Sequence, residues 1–316
     1  MKKLFTGKFD YIASRKFCIF LSLAVILIGI VCNLIFGTDL DVTFKGGTLI
    51  KYSYSGDLNL SEVADYVSSD FGYEGVDVKS SSSSGLQMID VYTTNSLTME
   101  EQEAFTAKLT ERFAANGLEQ DRVNSLSATM GTLFFVKCLV AIALAGLFLI
   151  LYVSLRFRKI GGWTAGVMAV AALVHDMLIA YFAFVIFRIP LDGNFVAVLL
   201  TILGYSLNDT IVIYDRIREN RRLMDAKTPI AEVVNTSLNQ SFARVFNTSL
   251  ATIVAIGTVA VISLILGLDA IISFAVPMLV GLIAGFYSST FLCVPLWALW
   301  TEKRQAKKAA TAKSRK

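Results

Sequence analysis

The chain has 316 residues, 55% of them hydrophobic, with 29 Lys and Arg against 25 Asp and Glu for a net charge of +4. A mean hydropathy of +0.61 is too apolar for an ordinary soluble domain, and so slight a positive balance is no footprint of nucleic acid as a partner. Cys18, Cys32, Cys138 and Cys293 all lie in or beside apolar runs, so they read as small buried hydrophobes rather than a disulfide framework or a metal site. Nothing in the composition implies a cofactor.

Apolar runs long enough to cross a bilayer, which takes about 20 residues, fall at 17–36, 133–155, 163–187, 195–214, 246–266 and 271–297. The first is too long for the apolar core of a cleavable signal peptide, and no small-x-small site follows it, so it reads as an uncleaved anchor. Lys and Arg concentrate before the first run, after the second, after the fourth and after the sixth. The positive-inside bias therefore predicts both termini on the cytoplasmic side.

The expected organisation is a cytoplasmic start and first span (1–36), an extracytoplasmic domain (37–130), a bundle of five further spans (131–300) and a basic cytoplasmic tail (301–316). The domain holds 15 of the 25 acidic residues, which sets it apart from the rest. It opens on the linker DVTFKGGT, where Gly46 and Gly47 permit a turn or a close backbone approach. A strand at 48–55, a helix at 60–71, strands at 76–80 and 86–93, a helix at 98–116 capped by Thr98 with Glu101, and a strand near 122–126 follow. The serines of 81–85 read as a flexible hairpin connection. This β-α-β-β-α-β order is that of a ferredoxin-like split unit, with no His, Cys or phosphate loop to make it an active site.

Lys137, in the second run, reads as snorkelling to the interface. The third carries the only histidine, His175, beside Asp176. The histidine is explained by a hydrogen bond to a neighbouring helix, whereas a mid-membrane carboxylate needs a partner, a proton or water. The fourth carries Asn208, Asp209 and Thr210, where lipid cannot solvate a charge; a charge at the bilayer centre costs at least about 2.5–3.5 kcal/mol.

A cytoplasmic loop at 216–243 is expected to include a short amphipathic helix along the membrane surface. Arg244 enters the fifth span, followed by the hydroxyls of Thr248, Ser249 and Thr252. Antiparallel packing of the fourth and fifth spans predicts Asp209 and Arg244 at similar depth, a salt bridge that protonation would release. Asp215 reads as an interfacial salt-bridge partner. It sits about 240° around a helix from Asp209, so the two cannot form the shared-proton pair of an intramembrane aspartyl protease. The sixth run holds Pro277, expected to kink it, and the small residues Gly281, Gly285, Ser288 and Ser289, expected to permit close packing. The basic tail reads as disordered or lying at the membrane surface.

DVTFKGGT, YVSLRF (152–157), ALVHD (172–176), GYSLNDTIVIYDRIREN (204–220), RVFNTSLAT (244–252) and GFYSSTFLCVPL (285–296) resemble, in order and over all six runs, the SecF branch of the SecD/SecF protein-export family. Two departures stand: Val245 replaces the family's threonine after Arg244, and Asp41 and Phe44 are not adjacent. The resemblance implies a multi-pass α-helical protein of the bacterial inner membrane, related to the resistance–nodulation–division transporters. It would pair with SecD and use protons to assist preproteins through the SecYEG channel, with YidC a further candidate partner. It also implies a proton pathway through Asp209 and Arg244, completed by a carboxylate from SecD. Asn208, Thr210, His175, Asp176, Thr248 and Ser249 would either join that pathway or pack around it. A small-molecule or lipid exporter on the same scaffold, and a non-conducting translocon scaffold, are the alternatives.

Overall fold

The computed structural model describes residues 9–83, 86–225 and 227–314. Six of its helical segments are long and apolar enough to cross a membrane. The first, α1 (Tyr11–Phe36), is capped by Asp10, whose carboxylate accepts from the Ala13 N–H. After it the linker makes one helical turn, α2 (Val42–Lys45), capped by Asp41. Phe44 on this turn is buried against Phe134 and Phe135 of α5 (Ala128–Arg156). The glycines expected at a close approach are indeed at one. Gly46 and Gly47 have φ of 77° and 105°, and a Cβ on Gly46 would meet the Ala128 backbone at 2.3 Å.

Between α1 and α5 lies the α+β domain: β1 (Gly47–Tyr54), α3 (Leu60–Asp70), β2 (Asp77–Ser83), β3 (Leu86–Thr93), α4 (Met99–Arg112) and β4 (Glu119–Leu126). The sheet order is β2-β3-β1-β4, all antiparallel, the split arrangement expected. Alternation puts Ile50, Tyr52, Ile89 and Val91 on one face, where Val63, Val67, Phe105 and Leu109 of the two helices close the core. The capping box of Thr98 and Glu101 is present, but α4 ends at Arg112 and a single 3₁₀ turn carries the chain to Asn116. Of the segment expected as a flexible connection, 81–83 belong to β2 instead: Ser81 pairs with Met88 and donates to Asp90, and Ser83 pairs with Leu86; residues 84 and 85 lie outside the described residues.

The other spans are α6 (Gly162–Ile186), α7 (Gly193–Leu223), α8 (Ile230–Leu266) and α9 (Asp269–Tyr287), the last continued by a π-helical segment (Ser288–Cys293) and α10 (Val294–Ser314). Two expectations are corrected here. The surface helix of the 216–243 loop does not lie apart: 216–223 finish α7, and the rest from Ile230 runs unbroken into the fifth span as one 37-residue helix. No Gly or Pro falls where the loop segment joins the span, from 230 to 256; Ser237 and Ser241 return their hydroxyls to the carbonyls of Val233 and Ser237, and Val234, Leu238, Phe242 and Val245 continue one buried stripe. The basic tail is helical to Ser314, as its Ala, Lys, Arg and Gln favour.

Two ties join distant parts of the chain. The linker is bonded to the α6–α7 loop, Asp41 N–H donating to the Leu191 carbonyl and Leu191 N–H to that of Asp39. At the other end of the bundle, Asn235 and Asn239 of α8 clasp the backbone of Phe9, Tyr11 and Ile12.

Candidate functional site

Both membrane carboxylates are buried, Asp176 in the packing of α6, α7 and the last span and Asp209 between α7, α8 and α9. On α7 the buried positions Leu199, Ile202, Ser206, Asp209, Thr210 and Ile213 recur every three or four residues, so the stripe that packs the helix also carries its polar groups inward. Gly285 of α9 allows the approach: a Cβ there would sit 3.0 Å from Ser206 Cβ, and one on Gly281 would strike Ile202.

Asp209 is 7% exposed. Its Oδ2 accepts one hydrogen bond, from Ser249 Oγ on α8 at 2.8 Å. Beside it is a cleft of about 50 Å3 between α7, α8 and α9, lined by Ser206, Asp209, Ser249 and Thr252 among others. One water needs roughly 10–15 Å3 by this measure, so the cleft has room for a few. Asn208 and Thr248 are exposed at its mouth.

Asp176 is sealed, 0% exposed. Its Oδ2 accepts from Ser206 Oγ at 2.6 Å and from Ser288 Oγ at 2.8 Å. His175 Nδ1 lies 3.0 Å from Oδ1, where the ring N–H can donate. Ser289 Oγ donates to the Ser206 carbonyl at 3.0 Å and accepts from Thr210 Oγ1 at 2.9 Å. Successive residues of a regular helix point about 100° apart; here a π turn places Ser288 against Asp176 of α6 and Ser289 against Ser206 and Thr210 of α7, and such turns recur at functional sites.

The expected pairing of Asp209 with Arg244 is absent from this conformation. Arg244 is exposed and lines a wider cleft near Asp215, Arg216, Arg218 and Glu219. Among the described residues no Lys or Arg is ion-paired with either membrane carboxylate. The reason is helical phase. Arg244 is five residues from Ser249, roughly 7.5 Å along α8 and about 140° around it, so the turn that offers Ser249 to Asp209 points the guanidinium elsewhere. Asp215 is the ion-pair partner expected, held by Arg218 on its own helix and by Arg156 of α5.

Sequence reasoning passed over Ser206, Ser288 and Ser289 as binding groups. The signal was there: Ser206 stands three residues before Asp209, one helical turn, and the paired serines had been read as packing residues alone. Among the described residues, no cluster of three His, Cys, Asp or Glu could hold a metal ion.

The fold and site together define a polytopic α-helical membrane protein with a split β-α-β domain between its first two spans and buried carboxylates in its bundle. The family described as "Protein export membrane protein SecD/SecF, C-terminal" matches residues 106–303. The protein translocase subunit SecF of Petrotoga mobilis is 32% identical over 297 residues, covering 91% of this chain and 94% of that protein. The fused subunit SecDF of Bacillus subtilis is 32% identical over 305 residues, 96% of this chain but only 40% of the longer relative. A crystal structure of SecDF from Thermus, described as a translocon-associated membrane protein, superposes with a TM-score of 0.76 at 25% identity, over 93% of this chain and 39% of that one. The chain belongs to the SecD/SecF family, as a protein translocase subunit of the SecF type.

Proposed function

We propose that this chain is the SecF half of a SecD-paired unit of the bacterial inner membrane, with both termini cytoplasmic, that uses the proton motive force to assist preproteins through SecYEG. The observation that carries the reading is Asp209: a carboxylate in the middle of a spanning helix, held by one hydroxyl, with no cation among the described residues paired to it and a cleft of water size beside it. A charge so placed is costly, so the group has two accessible states, neutral as it stands or charged with a better partner.

Arg244 is that partner. It lies on the same helix as Ser249, and a rotation of α8 by less than half a turn exchanges the hydroxyl for the guanidinium. Protonation favours the first arrangement and deprotonation the second, so each proton that passes works α8 against α7. A potential of 100 mV supplies about 2.3 kcal/mol for each charge moved across it, enough to bias such an exchange. The bonds between the Leu191 loop and the linker at Asp39 and Asp41 give the motion a route from α7 to the sheet domain, where a preprotein segment is handled.

The test is translocation in vesicles that contain SecYEG and the SecD-type partner. Asp209→Asn keeps the acceptor for Ser249 but cannot ionise; it is expected to assemble normally and lose the part of translocation that depends on the proton gradient. Wild-type dependence on the gradient in that variant contradicts the proposal.

A further inference from the structure

The buried cluster around Asp176 is not used by the exchange between Asp209 and Arg244, and its geometry is unlike that of a packing contact. One side chain, Ser206, belongs to both places. Its hydroxyl donates to Asp176 Oδ2 at 2.6 Å, and it lines the same 50 Å3 cleft as Asp209 and Ser249. The serine therefore forms the wall between a cleft that can hold water and a carboxylate that water cannot reach. A second feature lies on the far side of the carboxylate. Ser288 Oγ donates to Asp176 Oδ2 at 2.8 Å, yet the Gly285 carbonyl stands 3.2 Å from the same hydroxyl as an alternative acceptor.

We infer that Asp176 is a second proton station, loaded from Asp209 through Ser206, and that loading it releases Ser288 on the last span. The inference rests on the reading of Asp209 as a proton carrier. The transfer balances as follows. The Asp209 carboxyl gives its proton to a water in the cleft, and that water gives one of its own to Ser206 Oγ. The original hydroxyl proton of Ser206 moves onto Asp176 Oδ2. Asp209 is left charged, Asp176 becomes neutral, and water and serine are unchanged. Oδ2 now bears a proton and no longer serves two donors, so Ser288 turns to the Gly285 carbonyl one turn back. That exchange loosens the tie between α6 and the π segment at the moment when Asp209, newly charged, seeks a cation.

The titratable groups around Asp176 are His175 on its own helix, Asp209 on α7, and Cys293 and Tyr287 on the last span. His175 Nδ1 holds Oδ1, and its Nε2 is buried with no hydrogen-bond partner. The ring thus fixes the carboxyl so that Oδ2 faces Ser206, which makes His175 a positioning residue.

The experiment measures proton flux into vesicles that hold the complete complex with its SecD-type partner, together with the infrared difference spectrum of its carboxyl groups on a pH jump. Asp176→Asn accepts from Ser206 and Ser288 but cannot take the proton; flux is expected to fall about a hundredfold or more, the scale on which a positioned acid–base group assists proton transfer. One protonated-carboxyl band should vanish with it. Ser206→Ala leaves Asp176 bonded to Ser288 and His175 and should slow the flux while shifting that same band, so it carries the test if Asp176→Asn does not assemble. Wild-type flux and an unchanged carboxyl spectrum in either variant overturn the inference. If Asp209→Asn blocks flux while Asp176→Asn conducts normally, only the second station is lost. If Asp209→Asn itself conducts, the proposed function falls with it.

Discussion

Asp176 and Asp209 are both carboxylates inside spanning helices, yet their surroundings differ. Asp176 is sealed and meets three donors, one from each of α6, α7 and the last span. Asp209 meets one donor, beside a cleft of water size. A buried charge is tolerated in proportion to the hydrogen bonds it receives. Asp176 is thus satisfied where it stands, and Asp209 is a group poised to change partner or charge. Burial alone does not separate a carboxylate that ties helices together until a proton reaches it from one that must change partner when its charge changes; the donor count does.

The sharpest way to break that comparison is to delete each acceptor. Asp176→Leu strands the Ser206 hydroxyl and the His175 ring N–H, while Ser288 keeps the Gly285 carbonyl; at roughly 1–3 kcal/mol for each donor left without a partner, it should markedly lower the melting temperature of the purified protein. Asp209→Leu strands only Ser249, which can turn back to its own helix, so its melting point should stay near the wild type. Equal losses in the two variants would mean that donor count is not what distinguishes the sites. Next in size, Gly285→Val drives a side chain into Ser206 and should separate α9 from α7, which a cysteine crosslink between the helices would detect as a lower yield. Ser249→Ala removes the single bond to Asp209, on the order of 0.5–1.5 kcal/mol for a bond to a neutral carboxyl. It should favour the Arg244 arrangement, read as increased crosslinking between α7 and α8 through cysteines placed beside residues 209 and 244, both of which stay native.

The smallest effect lies in the sheet domain and serves as a control. The Thr98 backbone N–H, and then its hydroxyl, hold the Glu101 carboxyl below its usual value of 4.5. A lowered folded-state value contributes stability that is complete above the unfolded value and fades as pH falls through the folded one. Glu101→Gln should therefore flatten the acid limb of the domain's pH–stability curve slightly below pH 4.5 and leave proton flux untouched.

Much of this was legible from the chain. Six apolar runs, the order of strands and helices between the first two, the Thr98 cap and the expensive charge at Asp209 follow from local pattern, and local pattern is what periodicity and capping rules read. What escaped depends on phase and on partners from elsewhere in the chain. Antiparallel packing predicts Arg244 near Asp209, but roughly 7.5 Å along α8 and about 140° around it decide whether they meet. Ser206, Ser288 and Ser289 are ordinary small residues until a π turn and Gly285 bring Ser206 and Ser288 to Asp176 and Ser289 to α7. The amphipathic segment before the fifth span had the right face for a surface helix, and only the uninterrupted hydrogen bonding through Ser237 and Ser241 joins it to the span.

Asp209 is the group on which proton coupling turns, and the direct measurement is proton conduction by the reconstituted complex, with the native chain and with Asp209→Asn, under the same imposed gradient. The native complex should conduct and the variant, equally assembled, should not. Equal conduction by both would contradict the claim that Asp209 carries the proton.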